Sequence, residues 1–240
     1  MEPTPPLHQA GIGVVVPYDF ALDRELWRWL PNDVSVHLTR MPYAPMPATL
    51  EMAVHISDPE LAAQGVTDLS AVSPLVTAYA CTSGSFVGGP AGELELVTAM
   101  LGAGAPAALT TSGALLAALR HLGIGRIATA TPYTADLTVG LTAYLAESGI
   151  EVTAATGLGL ISDIWTVPYD VTAQLVRDTD NEHADAVFIS CTNLPTYDVI
   201  ARLEAEIRKP VLTANQVTMW LALNLIGRKA VGPGQQLMER

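Results

Sequence analysis

The chain has 240 residues, half of them hydrophobic and 15% charged, with 24 acidic side chains against 12 basic ones and a net charge of -12. Such a surface repels phosphate backbones and anionic headgroups, which excludes nucleic acid and membrane surfaces as partners. Only 3 Phe and 4 Trp are present, so the interior is filled by Ala, Val, Leu and Ile, the composition of parallel strands buried under alanine-rich helices.

In chain order, Met1 to Gln9 holds Glu2, three prolines and no Lys or Arg, which does not read as a signal peptide, and the cytoplasm is the expected compartment. A first strand is predicted in Gly11-Ile-Gly-Val-Val-Val, stopping at Pro17-Tyr18, and another in Thr77-Ala-Tyr-Ala, stopping at Cys81-Thr82-Ser83. The most apolar stretch, 94–119, is interrupted by Gly102, Gly104, Pro106 and Thr110-Thr111-Ser112. It reads as helix, loop, strand and helix, not as a membrane span, which needs about 18 unbroken apolar residues. Further strands are predicted in Arg126-Ile-Ala-Thr-Ala-Thr before Pro132-Tyr133, in Val187-Phe-Ile-Ser before Cys191-Thr192-Asn193, and in Val211-Leu-Thr before Ala214-Asn215. Helical apolar spacing marks 92–101, 115–122, 137–147, 171–177 and 199–207.

These segments repeat. Gly11 to Tyr18 is echoed by Arg126 to Tyr133, Thr77 to Ser83 by Val187 to Asn193, and Pro106 to Ser112 with its helix by Pro210 to Asn215 with Met219 to Leu223. Three landmarks in the same order predict two half-molecules of one α/β design, each strand, helix, strand, helix, strand, helix, with a doubly wound parallel sheet. The boundaries are placed at 1–113 plus 216–240 for one half-domain and 114–215 for the other. Ligands of such sheets bind at the carboxyl ends of the strands. A pseudo-twofold relation between the halves would bring those ends to one cleft, with Cys81 on one wall and Cys191 on the other.

A cytoplasmic pair of cysteines is expected to be reduced. No C-x-x-C is present, and His8, His37, His55, His121 and His183 lack ligand spacing, so no metal is expected. Gly11-x-Gly13 lacks the third glycine of a dinucleotide fingerprint, and neither a phosphate-binding loop nor G-x-S-x-G occurs, so the chemistry is read as cofactor-independent. Buried cysteine is often inert packing, but two at matching strand ends, each followed by Thr and a second polar residue, point to reactive thiols. With no Lys, Arg or His in either motif, the field stabilising a thiolate has to come from backbone amides at the strand-to-helix turn. Thr110-Thr111-Ser112 is read as a helix cap, since a hydroxyl nucleophile has no matching histidine.

Ala80-Cys81-Thr82-Ser83, Thr110-Thr111-Ser112-Gly113-Ala114, Ala130-Thr131-Pro132-Tyr133, Ser190-Cys191-Thr192-Asn193-Leu194 and Ala214-Asn215-Gln216 resemble the aspartate/glutamate racemase superfamily, most closely its maleate cis-trans isomerase branch. The resemblance implies that Cys81 adds to the substrate double bond while Cys191 gives and takes a proton at the neighbouring carbon, or that the pair acts as two acid/base groups on opposite faces of a chiral carbon. It implies a small carboxylate held by Pro17, Tyr18, Phe20, Thr82, Ser83, Thr111, Ser112, Tyr133, Thr192 and Asn193. Arylmalonate decarboxylase is a relative that keeps only the second cysteine. Where the isomerase branch has Pro-Ser-Ser-Asn, this chain has Pro17-Tyr18-Asp19-Phe20, which looks like the ectoine-utilisation relatives, with an amino-acid-like or cyclic substrate implied. A non-catalytic carboxylate-binding protein is the alternative outside the enzymes. The high apolar fraction leads to the expectation of a homo-oligomer, a dimer or larger.

Overall fold

A computed structural model describes residues 9–239, so the reading of the N-terminal segment before Gln9 lies outside the described residues. The first half runs β1 (Ala10–Val16), α1 (Asp23–Leu26), β2 (Val34–Arg40), α2 (Leu50–Ile56), α3 (Pro59–Leu69), β3 (Val76–Tyr79), α4 (Thr82–Phe86), α5 (Gly89–Gly102), β4 (Ala108–Thr110) and α6 (Thr111–Leu122). The second runs β5 (Arg126–Thr131), α7 (Ala135–Glu147), β6 (Glu151–Gly157), α8 (Tyr169–Thr179), β7 (Ala186–Ile189), α9 (Ile200–Ile207), β8 (Val211–Thr213), α10 (Ala214–Leu225) and α11 (Gln236–Glu239).

Each half holds a four-stranded parallel sheet, in the orders β2-β1-β3-β4 and β6-β5-β7-β8. The second order is the first shifted by four, so the sequence repeat is a repeat of topology. The sequence reading provided three strands per half, and the structure adds β2 and β6. Both are edge strands with partly exposed side chains, VSVHLTR and EVTAATG, and they lack the unbroken apolar run that marks a strand covered on both faces.

Alternate residues of the inner strands serve different cores, as the two-residue period requires. Ile12, Val14 and Val16 of β1 and Ala186 and Phe188 of β7 face a core shared by the two halves, which also takes in Leu115, Leu119, Val217 and Leu223 from α6 and α10. Val15 faces a second core under α3, and Val187 and Ile189 face a third under α8. Burial on both faces is why these strands are continuous runs of Val, Ile and Ala. Helix α3 meets β1 at Gly65, where a Cβ would stand 2.6 Å from both methyls of Val15. Only glycine lets that helix lie against β1.

Helix starts coincide with strand ends. Thr110 caps α6 by accepting the Gly113 N–H at 2.9 Å, and Thr213 and Gln216 form a reciprocal capping box at α10. Among the described residues no helix is long and apolar enough to cross a membrane.

Candidate active site

The carboxyl ends of β1 and β3 face those of β5 and β7 across a cleft of about 440 Å³ including its open mouth. The first half contributes Pro17, Asp19 and Phe20 after β1, Ala48, Thr49, Met52 and Ile56 around α2, and Cys81, Thr82 and Ser83 after β3. The second contributes Tyr133 and Leu137 after β5, Ile164 after β6, and Cys191, Thr192 and Asn193 after β7. Both cysteines are free thiols on this one cavity.

The two turns differ although their sequences match. Cys81 is extended, with φ -143°, and is the N-cap of α4: its Sγ accepts the Gly84 N–H at 3.4 Å and lies 3.6 Å from Ser83 Oγ. Gly84 has no room for a Cβ, which would run into the Tyr79 hydroxyl, and that hydroxyl donates to the Ile56 carbonyl at 2.6 Å. Cys191 is followed by a turn instead of a helix and has φ +83°, left-handed backbone that costs a non-glycine residue about 1–3 kcal/mol.

A set of bonds between the halves holds that conformation. Thr192 Oγ1 donates to the Ala80 carbonyl at 3.1 Å, tying the residue after one cysteine to the residue before the other. Asn193 bridges to the β1 loop, its Nδ2 donating to the Asp19 carbonyl at 3.1 Å and its Oδ1 accepting from the Ala21 N–H at 2.9 Å. The buried Glu25 carboxylate accepts from Thr196 N–H at 3.1 Å, Thr196 Oγ1 at 2.8 Å and Asn215 Nδ2 at 3.3 Å, and Asn215 Nδ2 also donates to the Thr192 carbonyl at 2.9 Å. Over the mouth, the Ala48 N–H donates to the Ile161 carbonyl at 2.8 Å.

Of the residues expected at the site, Cys81, Cys191, Pro17, Phe20, Thr82, Ser83, Tyr133, Thr192 and Asn193 line the cavity, and Tyr18, Thr111 and Ser112 do not. Tyr18 turns away from the cleft, its hydroxyl donating to the Met46 carbonyl at 3.0 Å and its ring meeting Tyr43 edge-on. Thr111 Oγ1 pairs with Thr218 Oγ1 at 2.9 Å in the shared core. Ser112 sits behind the Cys81 turn, with its Oγ 2.7 Å from Ser85 Oγ and 3.3 Å from the Thr82 carbonyl. Both therefore brace the site from behind, because at the start of α6 only Thr110 has its side chain free to cap. The sequence reading did not select Asp19, Glu25 or the α2 and Ile164 walls. Asp19 had a signal, lying between two chosen residues at a strand's carboxyl end, whereas Glu25 acts from a four-residue helix with no motif.

Charge in the cavity is one-sided. Asp19 is the one formally charged residue lining it, exposed at its mouth, and crowding by protein raises its carboxyl pKa. Burial pushes the Cys81 thiol up to about 11, against the pull of the Gly84 amide and Ser83 hydroxyl, and Asp19 adds to the rise. Burial likewise pushes Cys191 up to about 12; the Asn193 amide opposes, while Asp19 and Cys81 add. The expected backbone donors are in place, but desolvation outweighs them and favours the neutral thiol at both positions. Tyr133, raised well above the usual phenol value first by burial and then by Cys191, receives a 3.3 Å hydrogen bond from Ser190 Oγ. Thr82 lines the cavity, and its buried hydroxyl acts on the Tyr133 phenol, opposing the larger effect of burial there. Among the described residues no group of three or more His, Cys, Asp or Glu could hold a metal ion.

This arrangement can hold a small molecule between two sulfurs with hydroxyl donors at one end. The chain is 31% identical over 167 residues, 66% of each chain, to a maleate isomerase of Geobacillus stearothermophilus. It is 28% identical to a maleate isomerase of Nocardia farcinica over 93% of this chain and 92% of that one. Its fold superposes on a liganded double mutant of arylmalonate decarboxylase with a TM-score of 0.88 at 26% identity, covering 96% and 99% of the two chains. It also superposes on a Nocardia farcinica maleate cis-trans isomerase mutant carrying a covalently bound succinylcysteine intermediate, with a TM-score of 0.86 at 24% identity and the same coverage. The family model described as arylmalonate decarboxylase matches residues 53–238, and the chain belongs to that enzyme family.

Proposed function

We propose that this chain is a cofactor-independent cis-trans isomerase of a small unsaturated carboxylate, with Cys81 as nucleophile and Cys191 as acid and base. The observation that carries the reading is the presence of both thiols on one cavity, close enough that ionising one raises the pKa of the other.

The active form carries one proton between the two sulfurs. Cys81 is assigned the nucleophile's role because it is the N-cap of α4 and its sulfur collects the Gly84 amide and the Ser83 hydroxyl. Its thiolate adds to one carbon of the double bond, forming a C–S bond as the π electrons move to the neighbouring carbon, which takes the Cys191 proton. The resulting single bond rotates. Cys191, now thiolate, removes a proton from the same carbon, the double bond re-forms and the C–S electrons return to Cys81. Thr82, Ser83 and the Tyr133 hydroxyl are the donors available to the substrate carboxylate. The same pair could exchange a proton across a chiral carbon, the racemase form of the chemistry.

Replacing Cys81 by Ser and, separately, Cys191 by Ser should each lower turnover of maleate and related acids by about a thousandfold or more with folding intact. The Cys191→Ser protein, lacking the base for elimination, should carry a substrate adduct on Cys81 in its intact mass. A decarboxylase reading, favoured by the family model, requires only Cys191, so an active Cys81→Ser protein would select it.

A further inference from the structure

The cavity's charge carries a consequence for the substrate, resting on the two-cysteine reading above. Asp19 is the second inner residue of the turn from Pro17 to Phe20, closed by the Phe20 N–H on the Pro17 carbonyl at 3.2 Å. Asn193 holds the turn from the opposite half, bonding the Asp19 carbonyl and the Ala21 N–H, and Asp19 lines the cavity that holds both cysteines. None of the ion pairs among the described residues involves Asp19, and no Lys, Arg or His lines the cavity. A dicarboxylate dianion with one end on Thr82 and Ser83 would bring its other end to a wall whose lining offers a negative charge, while Arg40, which is not in that lining, is engaged by Asp23 and the Phe20 carbonyl.

We propose that Asp19 is a specificity-determining residue that receives a positively charged nitrogen, an ammonium or protonated imine, so that the site takes a zwitterionic carboxylate in preference to a dianion. The cation would also cancel the negative charge that now opposes thiolate formation at both cysteines. The proton shared by the pair would then be mobilised when the correct substrate is bound.

The test labels the native protein with two thiol reagents of similar size and opposite charge, aminoethyl methanethiosulfonate and sulfonatoethyl methanethiosulfonate, with rates at Cys81 read by peptide mass and normalised to the urea-unfolded chain. The cationic reagent should react at least about tenfold faster than the anionic one. Asp19→Asn should bring that ratio to about unity and Asp19→Glu should keep it. β-Alanine should slow the labelling, and succinate, which places a carboxylate where β-alanine has its ammonium, should not. A ratio at or below unity in the wild type, a ratio unmoved by Asp19→Asn, or equal or absent protection by the two acids overturns the proposal. Labelling needs no turnover. If the single-cysteine variants stayed active while the charge preference held, the two-cysteine mechanism would fall and the role of Asp19 would stand.

Discussion

The bond from Thr192 Oγ1 to the Ala80 carbonyl links the two cysteine turns, and Thr192→Val removes it with almost no change of volume. Ala80 and Thr192 are 0% and 3% exposed, so no bulk water replaces the lost donor. Leaving a buried carbonyl without its partner costs about 1–3 kcal/mol. For a chain of this length that is a fall in melting temperature of about 2–12 °C. The kinetic effect should be larger than the thermodynamic one, because the bond holds the left-handed Cys191 against the opposite wall, and a shift of about 1 Å between reacting groups costs on the order of a hundredfold in rate. Thr192→Ser keeps the hydroxyl and should recover most of both losses. Thermal unfolding followed by circular dichroism and isomerisation followed by chromatography measure the two quantities. A Thr192→Val protein that melts within about 1 °C of the wild type and turns over at the same rate would refute the claim that this bond sets the sulfur-to-sulfur geometry.

Two further outcomes follow from the same network. Without ligand, iodoacetamide alkylation of Cys81 should rise with pH toward a midpoint of about 11, and at neutral pH its thiolate fraction should be about a hundredfold below that of an ordinary thiol; a midpoint near 8.5 would contradict this. Because the folded value is raised, the folded state holds its proton more tightly than the unfolded one. Stability is therefore complete below the ordinary thiol range and lost as pH climbs through about 11, which urea unfolding at neutral and alkaline pH can follow, with Cys81→Ser showing a smaller loss. Glu25→Ala strips the acceptor from Thr196 N–H, Thr196 Oγ1 and Asn215 Nδ2 and should cost about 2–4 kcal/mol in urea unfolding, with Glu25→Gln intermediate; equal stability of all three proteins would show that the loop after Cys191 is held by other means.

The fold was legible in the sequence wherever a strand is covered on both faces. β1, β3, β5 and β7 are continuous runs because alternate side chains enter different cores, and their repetition revealed the duplication. The edge strands β2 and β6 left no comparable run, since their outer residues mix with solvent. At the site, residues directly after strand ends were found because the chain direction alone puts them at the cleft. Expectation and cavity lining part where a side chain's direction decides. Tyr18 and Asp19 are neighbours in one turn, and the ring that looked useful leaves the cleft while the carboxylate enters it. Thr111 and Ser112 follow a strand end as Thr82 and Ser83 do, but α6 carries them into the core. Glu25 depends on a contact between halves that no local pattern announces.

A duplicated fold would by itself place two equivalent thiols across a two-fold axis, and two equivalent thiols make a poor nucleophile and acid. The structure breaks that equivalence in the backbone. After β3 the chain enters α4 at once, so Cys81 is a cap whose sulfur collects an amide and a hydroxyl. After β7 the helix is delayed to Ile200, and Cys191 sits in left-handed backbone with the Asn193 amide as its one backbone donor. The cause of the delay is visible: residues 192–196 are spent on bonds to the other half, at Ala80, Asp19, Ala21 and Glu25. The contacts that close the cleft are thus the same contacts that deprive Cys191 of a helix start. The proposed division of roles, Cys81 as nucleophile and Cys191 as proton carrier, rests on that asymmetry.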